Sequence, residues 1–208
     1  MSKLLGPEHA DIHYHIKRHT FKRFKEIVDI LVETYGVEIL NTIQEYRLSA
    51  LSSCLNKTPP DIERFQYLVH KGAAVDINHP SYRDVYDKPL KNIDKWSLAE
   101  RWSISAQDNE MSSVLLKLIL EAGEKPDNHI QASYLPLFYA KNETQFRLLF
   151  DHGASLTDLK GHVEENPTLL GNLLRAEEAY RRYVAHSAAQ IAEDLLVTEE
   201  PKKRMPKL

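Results

Sequence analysis

The sequence predicts an all-α protein built from stacked helical repeats. Three observations carry that expectation. An apolar helical run, a glycine and a short polar turn occur together at residues 65–76, again at 146–158, and in looser form at 115–127; self-similarity of this kind marks repeat architectures. Strand-like alternation of apolar and polar residues is absent over any useful length. The glycines that close the apolar runs, Gly36, Gly72, Gly123 and Gly153, stand 36, 51 and 30 residues apart. The long interval falls to 34 if the 17-residue segment 79–95 is an insertion.

Taken in order, Phe21, Phe24, Ile27, Val28, Leu31 and Tyr35 share one helical face that ends at Gly36. Ile39, Leu40, Ile43 and Tyr46 continue the pattern toward Leu48, Leu51 and Leu55. Pro59-Pro60-Asp61 interrupts and restarts a helix, because proline is favoured in a first turn. That helix carries Ile62, Phe65, Leu68 and Val69 and stops at Gly72. Segment 79–95 holds two prolines among residues of mixed polarity and reads as a loop, or a loop with one short helical turn. Helix pairs follow at 96–107 with 110–122 and at 135–141 with 143–152. Pro167 opens the last region, where Leu173, Ala176, Tyr180, Val184, Ala188, Ile191 and Leu195 keep steps of three and four. This is one short helix running into a long amphipathic one, or a single bent helix. Residues 198–208 read as a flexible polar tail.

The chain resembles the ankyrin repeat family. Leu148, Leu149, Phe150, His152, Gly153 and Ala154 fall where the second helix of that repeat and its turn place similar residues, as do Leu68, Val69, Gly72, Ala73, Val75, Asp76 and Asn78. Residues 135–140, Leu-Pro-Leu-Phe-Tyr-Ala, look like the Thr-Pro-Leu-His-x-Ala opening of the first helix, with Phe138 in place of histidine; Pro167-Thr168-Leu169-Leu170 is a looser echo. The resemblance implies an ankyrin-like helical repeat solenoid with N- and C-terminal helical caps and about three to five helix pairs. Residues 1–46 form the first cap, 47–166 the degenerate repeats with the insertion at 79–95, 167–197 the second cap and 198–208 the tail. It also implies protein–protein recognition without catalysis.

Composition bounds the alternatives. The chain has 208 residues, 42% of them hydrophobic, enough for a buried core. With 27 basic and 30 acidic residues the formal net charge is −3, so nucleic acid is not an expected partner. One cysteine excludes an intramolecular disulfide and fits a reducing compartment. The first residues are too short and mixed for a secretory signal, and no membrane span is expected. The expected localisation is cytoplasmic, or the interior of a host cell after secretion by a bacterial secretion system. The acidic Glu193, Asp194, Glu199 and Glu200, the basic 202–204 and the terminal Leu208 look like the tails of proteins exported by type IV secretion systems. Degenerate ankyrin arrays are frequent in effectors of intracellular bacteria, so the expected setting is an effector acting on a host protein.

No glycine-rich phosphate loop, Gly-x-Ser-x-Gly, His-Glu-x-x-His or kinase motif is present. No cofactor, metal or small-molecule substrate is expected. His9/His13 and His15/His19 stand four apart, a spacing that suits metal binding, but cysteines and well-placed carboxylates to complete a set are lacking. These histidines read instead as a solvated or partner-facing helix start. Cys54 follows Leu51-Ser52-Ser53, where the repeat pattern places a small buried residue. Trp96 and Trp102 read as core.

The insertion is the best candidate site. Tyr82, Arg83, Tyr86 and Lys88 lie within seven positions, and aromatic and arginine side chains commonly anchor interfaces. The expected function is therefore binding of a partner protein through the repeat surface and segment 79–95. Two alternatives stay open: a hydrolase or transferase centred on Cys54 or the histidine cluster, and a binder of nucleic acid or an anionic surface through basic segments.

Overall fold

In the computed structural model, residues 12–43, 49–57, 59–75, 83–84, 97–126 and 135–198 are described. Among them ten α-helices account for most of the chain, so the protein is all-α. The helices are α1 (Ile12–Arg18), α2 (Phe21–Tyr35), α3 (Ala50–Leu55), α4 (Ile62–His70), α5 (Leu98–Ser105), α6 (Glu110–Glu121), α7 (Pro136–Tyr139), α8 (Glu143–Asp151), α9 (Leu156–Glu165) and α10 (Leu170–Thr198).

The helices pack in consecutive pairs: α1 with α2, α3 with α4, α5 with α6, α7 with α8, and α9 with α10. Neighbouring pairs then stack. The first helices meet as α1–α3, α3–α5 and α5–α7, and the second helices as α2–α4, α6–α8 and α8–α10. One core runs through the stack from Ile12 to Ala179, with Phe24, Phe65, Phe138, Leu51, Leu68, Leu116 and Ile119 fully buried.

Local chemistry explains why each second helix starts and stops where it does. Thr20, Asp61, Asn109 and Asn142 cap α2, α4, α6 and α8, each accepting from the backbone N–H three residues on. Gly72, Gly123 and Gly153 close α4, α6 and α8 at φ of +92°, +101° and +90°, where a side chain would be strained. In all three the next residue donates to the carbonyl five residues back: Ala73 to Leu68 at 2.9 Å, Glu124 to Ile119 at 3.2 Å and Ala154 to Leu149 at 2.9 Å. The recurrent phrase in the sequence is thus a recurrent helix-ending hydrogen-bond pattern.

One reading needs correction. The apolar pattern from Ile39 toward Leu55 is not one helix. It divides into a 3₁₀ turn, Val37–Asn41, a two-residue strand β1, Thr42–Ile43, and α3 after the Ser49 cap. Among the described residues the strand structure is the two-residue β1, paired in parallel with β2, Arg83–Asp84, which agrees with the lack of longer strand-like patterns. Residues 156–165, to which no element was assigned from sequence, form helix α9, capped by Ser155 and anchored by fully buried Leu159. The last region does combine a short element with a long one, a 3₁₀ turn at Pro167–Leu169 followed by α10.

Candidate interaction surface

The edge formed by the inter-pair turns brings the N-terminal helices toward the insertion. After α2 the chain passes through Gly36 and the 3₁₀ turn into β1. Asn41, itself buried, accepts from the backbone N–H of Ala74 at 2.8 Å, tying this turn to the one that follows α4. Next to this tie, Thr42 and Ile43 pair with Arg83 and Asp84. Of the four sequence-predicted residues, Arg83 is therefore fixed in backbone position beside the turn edge. Tyr82, Tyr86 and Lys88 lie outside the described residues, as do Trp96 and His9.

A second cluster, not anticipated from sequence, lies on the α2–α4 face. The Tyr67 hydroxyl donates to Asp29 at 2.6 Å, and Lys71 pairs with the same carboxylate at 2.5 Å. Lys71 and Lys25 lie 5.4 and 5.9 Å from the Tyr67 ring centre, and Lys25 is 5.1 Å from that of Phe21. The hydrogen bond from Lys71 holds the Asp29 carboxyl below its ordinary range, while burial and the Asp29 contact raise the Tyr67 hydroxyl. Four residues from two helices thus form an aromatic and cationic patch. The i, i+4 step from Phe21 to Lys25 and from Tyr67 to Lys71 was readable in the sequence, but their meeting across two helices was not.

A shallow groove of about 360 Å³ opens between the start of α8 and the first half of α10. It is lined by the apolar Phe146 and Leu174, by Asn142, and by charges of both signs, Lys141, Arg175 and Arg182 with Glu143 and Glu178.

His13, His15 and Cys54 sit inside the packed stack. His13 and His15 are buried, against the expectation of a solvated helix start. Nδ1 of His13 lies 2.7 Å from the Ser53 hydroxyl and joins α1 to α3. His15 stacks on His19 with ring centres 5.3 Å apart; partial burial, then the neighbouring His15, lowers the His19 pKa. Among the described residues no group of three or more His, Cys, Asp or Glu side chains is placed to hold a metal ion. Cys54 is fully buried, and burial pushes its thiol up to about 12, so it stays protonated at neutral pH and is not an accessible nucleophile.

Buried polar ties hold the pairs in register. Arg64 stacks over Phe24 with 5.2 Å to the ring centre, donates to the His19 carbonyl and pairs with Asp61. Lys57 bridges Asp61 and the Ile16 carbonyl at 2.8 and 2.7 Å. Burial raises the Asp61 pKa, but the bonds from Lys57 and Arg64 outweigh it and hold the carboxyl below its ordinary value. Two pairs further on, Gln145 takes the place of Arg64. It is fully buried, donates to the Gln107 carbonyl at 2.8 Å and accepts from the Lys141 N–H at 2.8 Å.

No protein-family model, curated protein or solved structure matches the chain. Among the described residues no helix is long and apolar enough to cross a membrane.

Proposed function

We propose that the protein is a recognition module, an ankyrin-like solenoid that binds a partner protein along its turn edge and through segment 79–95. The observation that carries this reading is the pairing of Arg83–Asp84 with Thr42–Ile43 beside the turn edge. It ties two residues of a segment rich in tyrosine and basic residues to the turn edge, which supports that segment as part of the surface a repeat protein would use for binding. Two further features support it. The same cap and glycine closure recur on α4, α6 and α8, and buried polar residues of α4 and α8, Arg64 and Gln145, reach the inter-helix loop of the preceding pair. The proposed partner is a host protein met by a secreted bacterial effector, a setting that rests on the composition of residues 193–208 together with the resemblance to degenerate ankyrin arrays.

The test is affinity capture from host-cell lysate using the wild-type chain and the variant Tyr82→Ala/Arg83→Glu/Tyr86→Ala/Lys88→Glu, followed by titration of any captured protein. Circular dichroism confirms that the variant folds. The expected result is a partner whose affinity falls at least about tenfold in the variant, the loss of one or two interface anchors. Equal affinity for the two chains would remove segment 79–95 from the interface.

A further inference from the structure

The corner where α1 turns into α2 concentrates positive charge in a chain that is acidic as a whole. Residues 12–25 carry five cations, Lys17, Arg18, Lys22, Arg23 and Lys25, and no carboxylate, while the formal net charge of the chain is −3. Lys17, Arg18, Lys22 and Arg23 are exposed and Lys25 is half-buried. In α1 the buried residues are Ile12, His13, His15 and Ile16, which leaves Tyr14, Lys17 and Arg18 side by side on the outer face. The Arg18 guanidinium lies 5.7 Å from the Tyr14 ring centre. His19 continues the cluster into the turn: its ring centre is 6.3 Å from that of Tyr14, and partial burial, then the charges of His15, Arg23 and Arg64, hold its pKa down. The next acidic residue in sequence, Glu26, is paired with Arg23 at 2.8 Å.

The state of these side chains decides which kind of anion they suit. A site built for a single phosphate holds its cations in place with hydrogen bonds. Among the described residues no hydrogen bond or ion pair holds Lys17, Arg18 or Lys22. Loose charges on an outer face match a layer of anionic lipid headgroups, which presents many charges at no fixed geometry. Tyr14, 51% exposed, adds a ring with a polar end, the amphipathic shape favoured at a membrane–water boundary. For single-stranded nucleic acid the same ring would have to act as a stacking platform. It is already engaged, by Arg18 and by edge-to-face contacts with His15 and His19 at 5.4 and 6.3 Å.

We infer that the α1–α2 corner is a docking surface for an anionic lipid bilayer, with Lys17, Arg18 and Lys22 against the headgroups and Tyr14 at their level. The attachment is peripheral and electrostatic, so it is reversible and salt-sensitive. It goes beyond the proposed recognition of a partner protein and uses no residue of segment 79–95.

The test is co-sedimentation of the full chain with vesicles of phosphatidylcholine alone and of phosphatidylcholine containing about one-third phosphatidylserine. The chain should bind the second and not the first, and about 1 M salt should release it. Each cation at an anionic surface contributes about fivefold in affinity, so Lys17→Glu/Arg18→Glu/Lys22→Glu should weaken binding at least about a hundredfold. A control with the same change in net charge, Lys117→Glu/Lys125→Glu/Arg147→Glu, alters exposed residues of the stack outside this corner and should stay within about threefold of wild type. Circular dichroism confirms that both variants fold. Equal binding to the two kinds of vesicle, binding to neither, or a corner variant that binds no more weakly than the control would overturn the inference. Binding of a single-stranded RNA oligonucleotide where the vesicles are not bound would overturn it in favour of nucleic acid.

Discussion

Replacing Gln145 should loosen the joint between the third and fourth helix pairs. Its amide is fully buried and joins three groups: the Gln107 carbonyl and the Lys141 N–H, both at 2.8 Å, and the Ser113 hydroxyl at 3.4 Å. Gln145→Met fills the same volume but leaves the Gln107 carbonyl and the Lys141 N–H without this partner. Each such loss costs about 1–3 kcal/mol, and Lys141 lies close enough to water to recover part of it, so the variant should lose about 2–4 kcal/mol. Gln145→Ala gives up packing as well, at about 0.8 kcal/mol per buried methylene. A chain of this size shifts its midpoint by about 2–4 °C per kcal/mol, which predicts a fall of about 5–15 °C for the methionine variant. Urea and thermal unfolding followed by far-ultraviolet circular dichroism measure both. A loss below about 1 kcal/mol for Gln145→Met would refute the bridging role, because the amide would then be replaceable by apolar volume alone.

Asp61 gives a pH prediction. Its folded pKa lies below the ordinary value, so its ion pairs add stability above the unfolded pKa of about 3.9, and that contribution disappears as pH falls through the folded value. Asp61→Asn keeps an N-cap oxygen for α4 but loses the charge facing Lys57 and Arg64. It should cost about 1–3 kcal/mol at pH 7, and the gap to wild type should narrow as pH falls below the unfolded value in unfolding curves taken at each pH. Cys54 should resist a thiol reagent in the folded chain and react fully in denaturant; rapid labelling under native conditions would contradict its burial.

Helix ends were the most legible part of the sequence. Pro60-Asp61 before an apolar run, and glycine after one, act through neighbouring backbone groups, so local spacing was sufficient to place α4, α6 and α8. Helix α9 was missed because Gly161 and a polar surface hide its pattern, although Ser155 followed by Leu156, Leu159 and Val163 was a readable start and face. His13, Arg64 and Gln145 were illegible for a different reason. Their burial depends on Ser53, His19 and Gln107, which lie 38 to 45 positions away in sequence, and no local pattern reports such a meeting. The patch of Phe21, Lys25, Tyr67 and Lys71 likewise exists only once α2 and α4 lie side by side. For the insertion, composition pointed to binding residues, whereas the pairing that holds Arg83 depends on a strand forty residues earlier.

That pairing changes the entropy of recognition. It fixes the backbone at Arg83 and Asp84, between the end of α4 and the start of α5. Loop-closure entropy grows only slowly with length, about 0.6 kcal/mol per doubling, so the larger effect is on reach. Chain connectivity alone keeps Tyr82, adjacent to Arg83, and Tyr86, two residues past Asp84, within a few residues' length of that pairing. A ligand that meets them orders less chain than one capturing the middle of a free loop, and more of the contact energy is left for affinity.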